Sequence, residues 1–395
     1  MPGARTLSDI AELAAIDRES ASDGEACAAR ALAGMLAARG VQPALESERA
    51  VGGFWQSNGL AAAAALAAGM LGRRSRPAGT ALAALAAALI ADDVDNGRQL
   101  LRRLLPKRET TNVLARVGDA RARETLVIVA HHDAAHSGLL FHPGLVPLVS
   151  RIAPRWYERQ NTSTQTGRLL VLGPSLVALG CATGSGRIRR AGMLWSAATA
   201  LLLADVARCG VVPGANDNLS AVGVLLELAE RLSEDPAPGV RVLLLSTGSE
   251  ESFMEGMRAF ISRHGDELDP ASTRFLALEC VGSPRLVIME GEGMLRMRDH
   301  DSGLREELQA AADEAGIDIW RGLRLGAGGT DALPAMRAGY RAACLAACTD
   351  LKVPANYHWP TDVVENLDLD TMEQAREVTE RLVRRAGRAA TAATR

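Results

Sequence analysis

Aromatic side chains are scarce, at 3% of 395 residues, too few to build the stacking platform on which single-stranded nucleic acid is held. Neither sign of charge dominates: 44 Lys and Arg against 47 Asp and Glu leave a net charge of −3, which argues against a nucleic-acid binder. The six cysteines (Cys27, Cys181, Cys209, Cys280, Cys344 and Cys348) form no CxxC pair and no zinc-ribbon spacing. They are expected as buried thiols in a reducing compartment, not as a disulfide frame. Residues 1–20 carry no apolar h-region, so no cleavable secretory signal is expected and a cytoplasmic location follows. No repeat of 20–50 residues runs along the chain.

What is present is enough apolar material for a large core: 48% hydrophobic against 23% charged residues excludes general disorder. Ser22-Asp-Gly-Glu25 is a capping box opening a helix that Gly40 can close. Strands are predicted at 41–48, 112–117 and 125–130. The last of these, Leu-Val-Ile-Val-Ala, is apolar without alternation and therefore reads as covered on both faces. Further strands are predicted at 240–246, 273–280, 285–289 and 342–346, with helices over 218–232, 252–264, 302–315 and 371–385 between and after them. This alternation predicts an α/β fold with a mixed, mainly parallel sheet sandwiched by helices.

Two stretches break the alternation. Residues 50–110 contain the uncharged runs 50–72 and 77–91, separated by Arg73-Arg-Ser-Arg76; residues 134–213 contain 169–186 and 191–204, separated by Arg187-Ile-Arg-Arg190. Each is expected to form a hairpin of two apolar helices with a basic tip. The organisation is thus a core made of 1–49, 111–133 and 214–395 with helical insertions at 50–110 and 134–213. If strands 112–117 and 125–130 pair as a hairpin, both insertions leave the sheet at the carboxyl end of 125–130, where ligands bind in open α/β sheets. Of the four runs, 50–72 is long enough to span a bilayer, 169–186 is marginal and the other two are short. The insertions are expected to form a four-helix apolar unit beside the active site, either a lid or a body embedded in the membrane. On this reading the catalytic part lies in the cytoplasm, free or at the inner face of the membrane.

Chemistry-bearing residues gather at strand ends. His131-His-Asp133 follows the Leu-Val-Ile-Val-Ala strand, so His131 is aimed at the crevice and Asp133 can hold its other ring nitrogen; a buried, hydrogen-bonded His-x-Asp is the plainer alternative. Gly214-Ala-Asn-Asp-Asn218 precedes a helix and could be an Asx turn with an N-cap, although it presents Asp217 beside Asn218. Glu250 and Glu251 follow a buried strand and repel one another unless a cation or proton intervenes; the alternative is that they favour the next helix's dipole. Glu279 ends another apolar strand, where a carboxylate is costly unless paired or metal-bound, and His358 lies in a loop near Asp362. Together His131, Asp217, Glu251, Glu279 and His358 make a His/carboxylate set suited to zinc, with room for a shared carboxylate between two ions.

The order of these motifs resembles the di-zinc aminopeptidases of metallopeptidase family 28, clan MH, whose relatives include glutamate carboxypeptidase II and glutaminyl cyclases. The resemblance covers about residues 1–49, 111–133 and 214–390. It implies a zinc-exopeptidase-like fold, with His131 and Glu279 on one zinc, Glu251 and His358 on the other, and Asp217 bridging. It also implies Asp133 orienting His131 and Glu250 as general base. The implied reaction is hydrolysis of a peptide or amino-acid amide by a water activated on two zinc ions. Carboxypeptidase, amidase or glutaminyl-cyclase activity on the same site is the alternative within enzymes. A membrane-associated binding or scaffold protein with a degenerate site is the alternative outside them. Glu279 departs from the Asp common in the family, and the interval from Asp133 to Asp217 is far longer than in simple secreted members.

Overall fold

The computed structural model describes residues 3–393. Its frame is a seven-stranded sheet. The strands are β1 (Pro43–Ala50), β2 (Arg108–Gly118), β3 (Thr125–His131), β4 (Arg241–Thr247), β5 (Thr273–Glu279), β6 (Arg285–Ile288) and, after a small sheet of β7 (Gly291–Glu292), β8 (Arg298–Asp299) and β9 (Arg324–Leu325), β10 (Arg341–Cys348). The spatial order is β1-β2-β4-β3-β5-β10-β6. The four central strands β4, β3, β5 and β10 are parallel, and β1, β2 and β6 add antiparallel edges. The expected mixed α/β sandwich is therefore the observed fold.

Along the chain, α1 (Ala4–Ala14) and α2 (Asp23–Ala37) precede β1. Helices α3 (Phe54–Leu71) and α4 (Arg76–Val94) lie between β1 and β2. Between β3 and β4 come α5 (Leu145–Ile152), α6 (Pro154–Glu158), α7 (Thr166–Thr183), α8 (Gly186–Arg208) and α9 (Ser220–Glu234). Then α10 (Glu255–His264), α11 (Ser302–Ala315), α12 (Ala332–Arg337) and α13 (Leu369–Ala393) alternate with the remaining strands. The run Leu126–Ala130 shows why β3 lacks alternation. Leu126, Ile128 and Ala130 enter a core packed by residues of α1, α2, α9, α11 and α13, whereas Val127 and Val129 enter a second core with residues of α10 and α12. Burial on both faces makes every residue of the run Leu126–Ala130 apolar.

One expectation is corrected. Strands β2 and β3 are not a hairpin: β4 lies between them, antiparallel to β2 and parallel to β3, so that both Val113 and Ala130 stand opposite Ser246. An antiparallel step followed by a parallel one still puts the start of β2 beside the end of β3. The two insertions therefore do leave at one edge, for a different reason. There α3, α4, α7 and α8 pack as a four-helix bundle. Among the four, α4 and α7 pass a length-and-hydropathy test for crossing a membrane. The run 50–72 does not, because Gln56, Ser57 and Asn58 dilute α3, while α4 extends beyond its uncharged run to Val94. The thiols also differ from expectation: all six are free, but Cys27 is exposed and Cys209 is half-buried. Helices begin later than predicted after the motifs, at Ser220 and Glu255, since Asp217, Asn218 and Glu250–Met254 form irregular loops.

Candidate metal centre

Because β4, β3, β5 and β10 are neighbours and parallel, their carboxyl ends bring the following loops together. These deliver Glu250 and Glu251, His131, Glu279, and (through the longer loop after β10) His358. The segment before α9 supplies Asp217. His131 Nε2 lies 3.2 Å from Asp217 Oδ1 and 3.5 Å from Glu279 Oε1. His358 Nε2 lies 3.1 Å from Asp217 Oδ2 and 3.3 Å from Glu251 Oε1. Asp217 thus turns one oxygen to each histidine. Glu250 Oε2 stands 3.8 Å from His131 Nε2. All five sequence-predicted ligands and Glu250 share one buried pocket.

Asp133 sits behind this group. Its carboxylate Oδ1 is 3.4 Å from His131 Nδ1, and its own backbone carbonyl is 3.3 Å from the same nitrogen. The carboxylate also accepts the backbone N–H groups of Glu250 and Glu251, at 3.0 and 3.1 Å, and the Ser20 hydroxyl at 2.6 Å. One side chain therefore orients both the first histidine and the glutamate pair. The Gly214–Asn218 segment is more than an N-cap. Asn216 links to Ser283, Gly282 and Ala355, and Asn218 donates to the Leu278 carbonyl and accepts from Cys280 N–H. These bonds tie Asp217 to the end of β5, where Glu279 sits.

Several supporting residues escaped the sequence reading. Glu25, read only as half of a capping box, accepts from Ser249 N–H (3.0 Å), Ser249 Oγ (2.9 Å), Thr110 Oγ1 and Thr111 N–H. The first two bonds hold Ser249 in the left-handed region at φ 51°, a costly conformation for a non-glycine residue that needs outside support. The Ser22 half of the box is present, since Ser22 Oγ accepts from Glu25 N–H. Asp362 accepts the N–H groups of Asn216 and Asp217. Arg18, wholly buried, donates to the carbonyls of Leu13, His132 and Pro213. Asp331 accepts from Thr247 Oγ1 at 2.5 Å, and its Oδ1 has no hydrogen-bond partner. The signal for it was Gly328-Gly-Thr-Asp331 before a helix.

Electrostatics show what the pocket requires. Burial drives Glu250 well above the ordinary carboxyl range, with His131 opposing and Glu251 and Asp331 adding to the rise. Burial likewise lifts Glu279 to about 8 and Asp331 to about 7. Burial works to lower His358, but Glu251 and Asp217 outweigh it and raise the imidazole to about 10. Burial also works to raise Asp217, yet His131 and His358 hold it below the usual carboxylate range. Acidic groups outnumber cations here, a balance that bound cations correct. The donor atoms fit a metal: ligand atoms of His131, Asp217 and Glu251 fall within 4.8 Å of one another, as do those of Asp217, Glu279 and Cys280. Both ring nitrogens of His358 are buried without a well-formed hydrogen bond, although Nε2 is 3.1 Å from a carboxylate. That is the geometry of donors converging on a shared third atom.

The fold is zinc-exopeptidase-like, and the donor set at its sheet edge is one that fits a metal. The model of peptidase family M28 matches residues 201–383. That match agrees with the resemblance read from the motifs: this part of the chain is similar to the M28 metallopeptidases, which supports a zinc-dependent hydrolase. No curated protein matches the sequence significantly. Among solved structures, an aminopeptidase from Aneurinibacillus sp. strain AM-1 superposes with TM-score 0.56 at 13% identity, covering 98% of this chain and 94% of that one. A zinc aminopeptidase from Bacillus subtilis gives 0.54 at 13%, covering 96% and 94%. A glutaminyl cyclase from Bacteroides thetaiotaomicron, bound to N-acetylhistamine, gives 0.54 at 12%, covering 96% of both chains. At such identities the likeness is one of fold.

Proposed function

We propose that this protein is a two-zinc aminopeptidase. The observation that carries the reading is the split of Asp217, one carboxylate oxygen towards His131 and the other towards His358. A single carboxylate shared by two imidazole-bearing sites suits a pair of ions. His131 and Glu279 would hold one zinc, Glu251 and His358 the other, with Asp217 between. Bound zinc supplies a water of lowered pKa and polarises the scissile carbonyl.

The chain's own residues do the rest. Glu250, whose carboxyl burial raises well above its ordinary value and which stands beside His131, would take a proton from the attacking water and return it to the leaving amine. Asp133 fixes the Glu250 backbone and backs His131, so acceptor and ligand move as one unit. Glu25 and Asp362 lock the loops on either side. The full set of donors and the intact Glu250 favour hydrolysis over cyclisation. The likeness to aminopeptidases and to a cyclase in fold supports a common scaffold without dividing the two.

The test is zinc content by elemental analysis combined with turnover of aminoacyl-nitroanilides and a peptide-library digest. Two zinc ions per chain with release of N-terminal residues is the expected result, and Asp217→Asn should weaken both ions. One zinc with occupancy untouched by Asp217→Asn overturns the bridge. Cyclisation of N-terminal glutamine without hydrolysis, or cleavage from the carboxyl end alone, overturns the aminopeptidase assignment.

A further inference from the structure

Outside the metal centre, the four-helix bundle is built inside out. Its interior is lined by small residues such as Ala65, Ala68, Ala83 and Gly192, all buried. They let the backbones approach closely: a Cβ on Gly79 would lie 2.5 Å from Gly72 Cα, and one on Gly192 would lie 2.8 Å from the Gly173 carbonyl oxygen. Although Ile90, Val177 and Leu203 are also buried, many large side chains face outward, with Leu60 at 51%, Leu85 at 54%, Leu172 at 37% and Leu194 at 73% exposed, one from each helix. Apart from Leu45, every large exposed apolar side chain among the described residues belongs to the two insertions. A bundle folded by water would bury the leucines and show the alanines, because burial of large apolar groups is what drives its association. Small residues at the contacts with large ones outside is the arrangement of helices packed in lipid.

We propose that α3, α4, α7 and α8 span a lipid bilayer, which is the partner of this outer face. Their 18 to 23 residues correspond to about 27–35 Å of helix, against a hydrocarbon core of about 30 Å. Charge is confined to the two ends. α3 has none, α4 none between Arg76 and Asp92, α7 none after Arg168, and α8 none between Arg190 and Asp205. Both basic tips lie together at one end, where a Cβ on Gly184 would meet Arg76 Cζ at 2.5 Å. At the other end Asp93 accepts from Ser57 and Asn58 of α3, and through Arg102 it joins the bundle to Glu255 of the catalytic part. There the segment 139–156 exposes Leu148, Ile152 and Trp156 beside Arg151 and Arg155, an amphipathic strip of the kind that lies at a membrane surface. Phe141 in that strip touches the His358 ring, at 4.3 Å between centroids. At the same foot a cavity of about 510 Å³ is lined by Arg98, Arg103 and Lys107, among others that include Glu48 and Glu255, which suits anionic headgroups. The apolar face comes from all four helices, so a sheath of lipid fits it better than a single docked protein.

The full chain, expressed in cells and collected in sealed membrane vesicles, tests this. The protein should stay in the pellet through an alkaline carbonate wash and leave only with detergent. A membrane-impermeant maleimide should reach the exposed Cys27 of the catalytic part from one face. It should reach the thiol introduced by Thr183→Cys, at the far tip, only from the other. Recovery in the soluble fraction without detergent, whether as a monomer or as an oligomer whose copies cover the leucines, overturns the proposal. So does labelling of both thiols from one face of intact vesicles. These readouts are independent of zinc and turnover, so failure here leaves the enzymatic reading standing.

Discussion

The two halves of this molecule place the same residue types in opposite ways. Around the sheet, large apolar side chains such as Leu126, Ile128, Phe260 and Phe275 are wholly buried, and the interior admits charge only where it is paired, hydrogen-bonded as at Arg18 and Glu25, or gathered at the candidate metal centre. In the bundle, glycine and alanine make up much of the inside, with Ile90, Val177 and Leu203 among them, while most leucines and Trp195 face out. One chain therefore contains two answers to what surrounds a helix, and the difference lies in side-chain size across the interface, since both regions are rich in apolar residues.

The largest expected effect tests whether the chemistry belongs to the sheet half alone. Glu250→Gln preserves shape and removes the proton acceptor, so turnover should fall by roughly 10²–10⁴-fold while zinc content by elemental analysis stays unchanged. Turnover equal to the parent would remove Glu250 from its role.

The joint between the halves comes next. Arg102 is buried and pairs with Asp93 of the bundle and Glu255 of α10, and it donates to the Ser252 carbonyl one residue after Glu251. Burial works to lower its pKa, but Asp93 and Glu255 outweigh it and raise it. Arg102→Ala leaves two carboxylates uncompensated, which for a buried pair costs about 3–5 kcal/mol. Thermal unfolding of the purified protein should show this as a lowered midpoint. A midpoint unmoved by the substitution would mean that the halves are not joined through this residue.

The comparison itself is sharpened by matched truncations. Leu244→Ala, in a core covered on both faces, should cost about 2–5 kcal/mol. The same change at the outward Leu85 should fall within about 0.5 kcal/mol. Equal losses at the two positions, read by denaturation of each variant under one condition, would show that protein, and not lipid or water, covers the outer face of the bundle.

Much of the catalytic half was legible beforehand because its signals are local. A strand buried on both faces must be continuously apolar, so β3, β4 and β5 declared themselves, and the loops at their carboxyl ends carried His131, Glu250 and Glu279. What stayed hidden depends on partners distant in sequence. Glu25 looked like a cap because its Ser22 and Ala21 contacts are local; its bonds to Ser249 span 224 residues. Asp331 and Asp362 gave weak signals for the same reason, since a lone aspartate before a helix or in a loop has many ordinary uses.

The strand order shows where the boundary falls. Hydrophobic patterning determined which segments are strands and helices, because burial period is written into consecutive residues. It carried no information on which strand separates β2 from β3, and β4 occupies that place by pairing with both. The bundle divides the same way. Composition by itself determined four uncharged runs separated in pairs by basic residues. Only the tertiary structure decided that alanine and glycine face one another while leucine faces outward, because that choice is made by contact between helices from two insertions far apart in the chain.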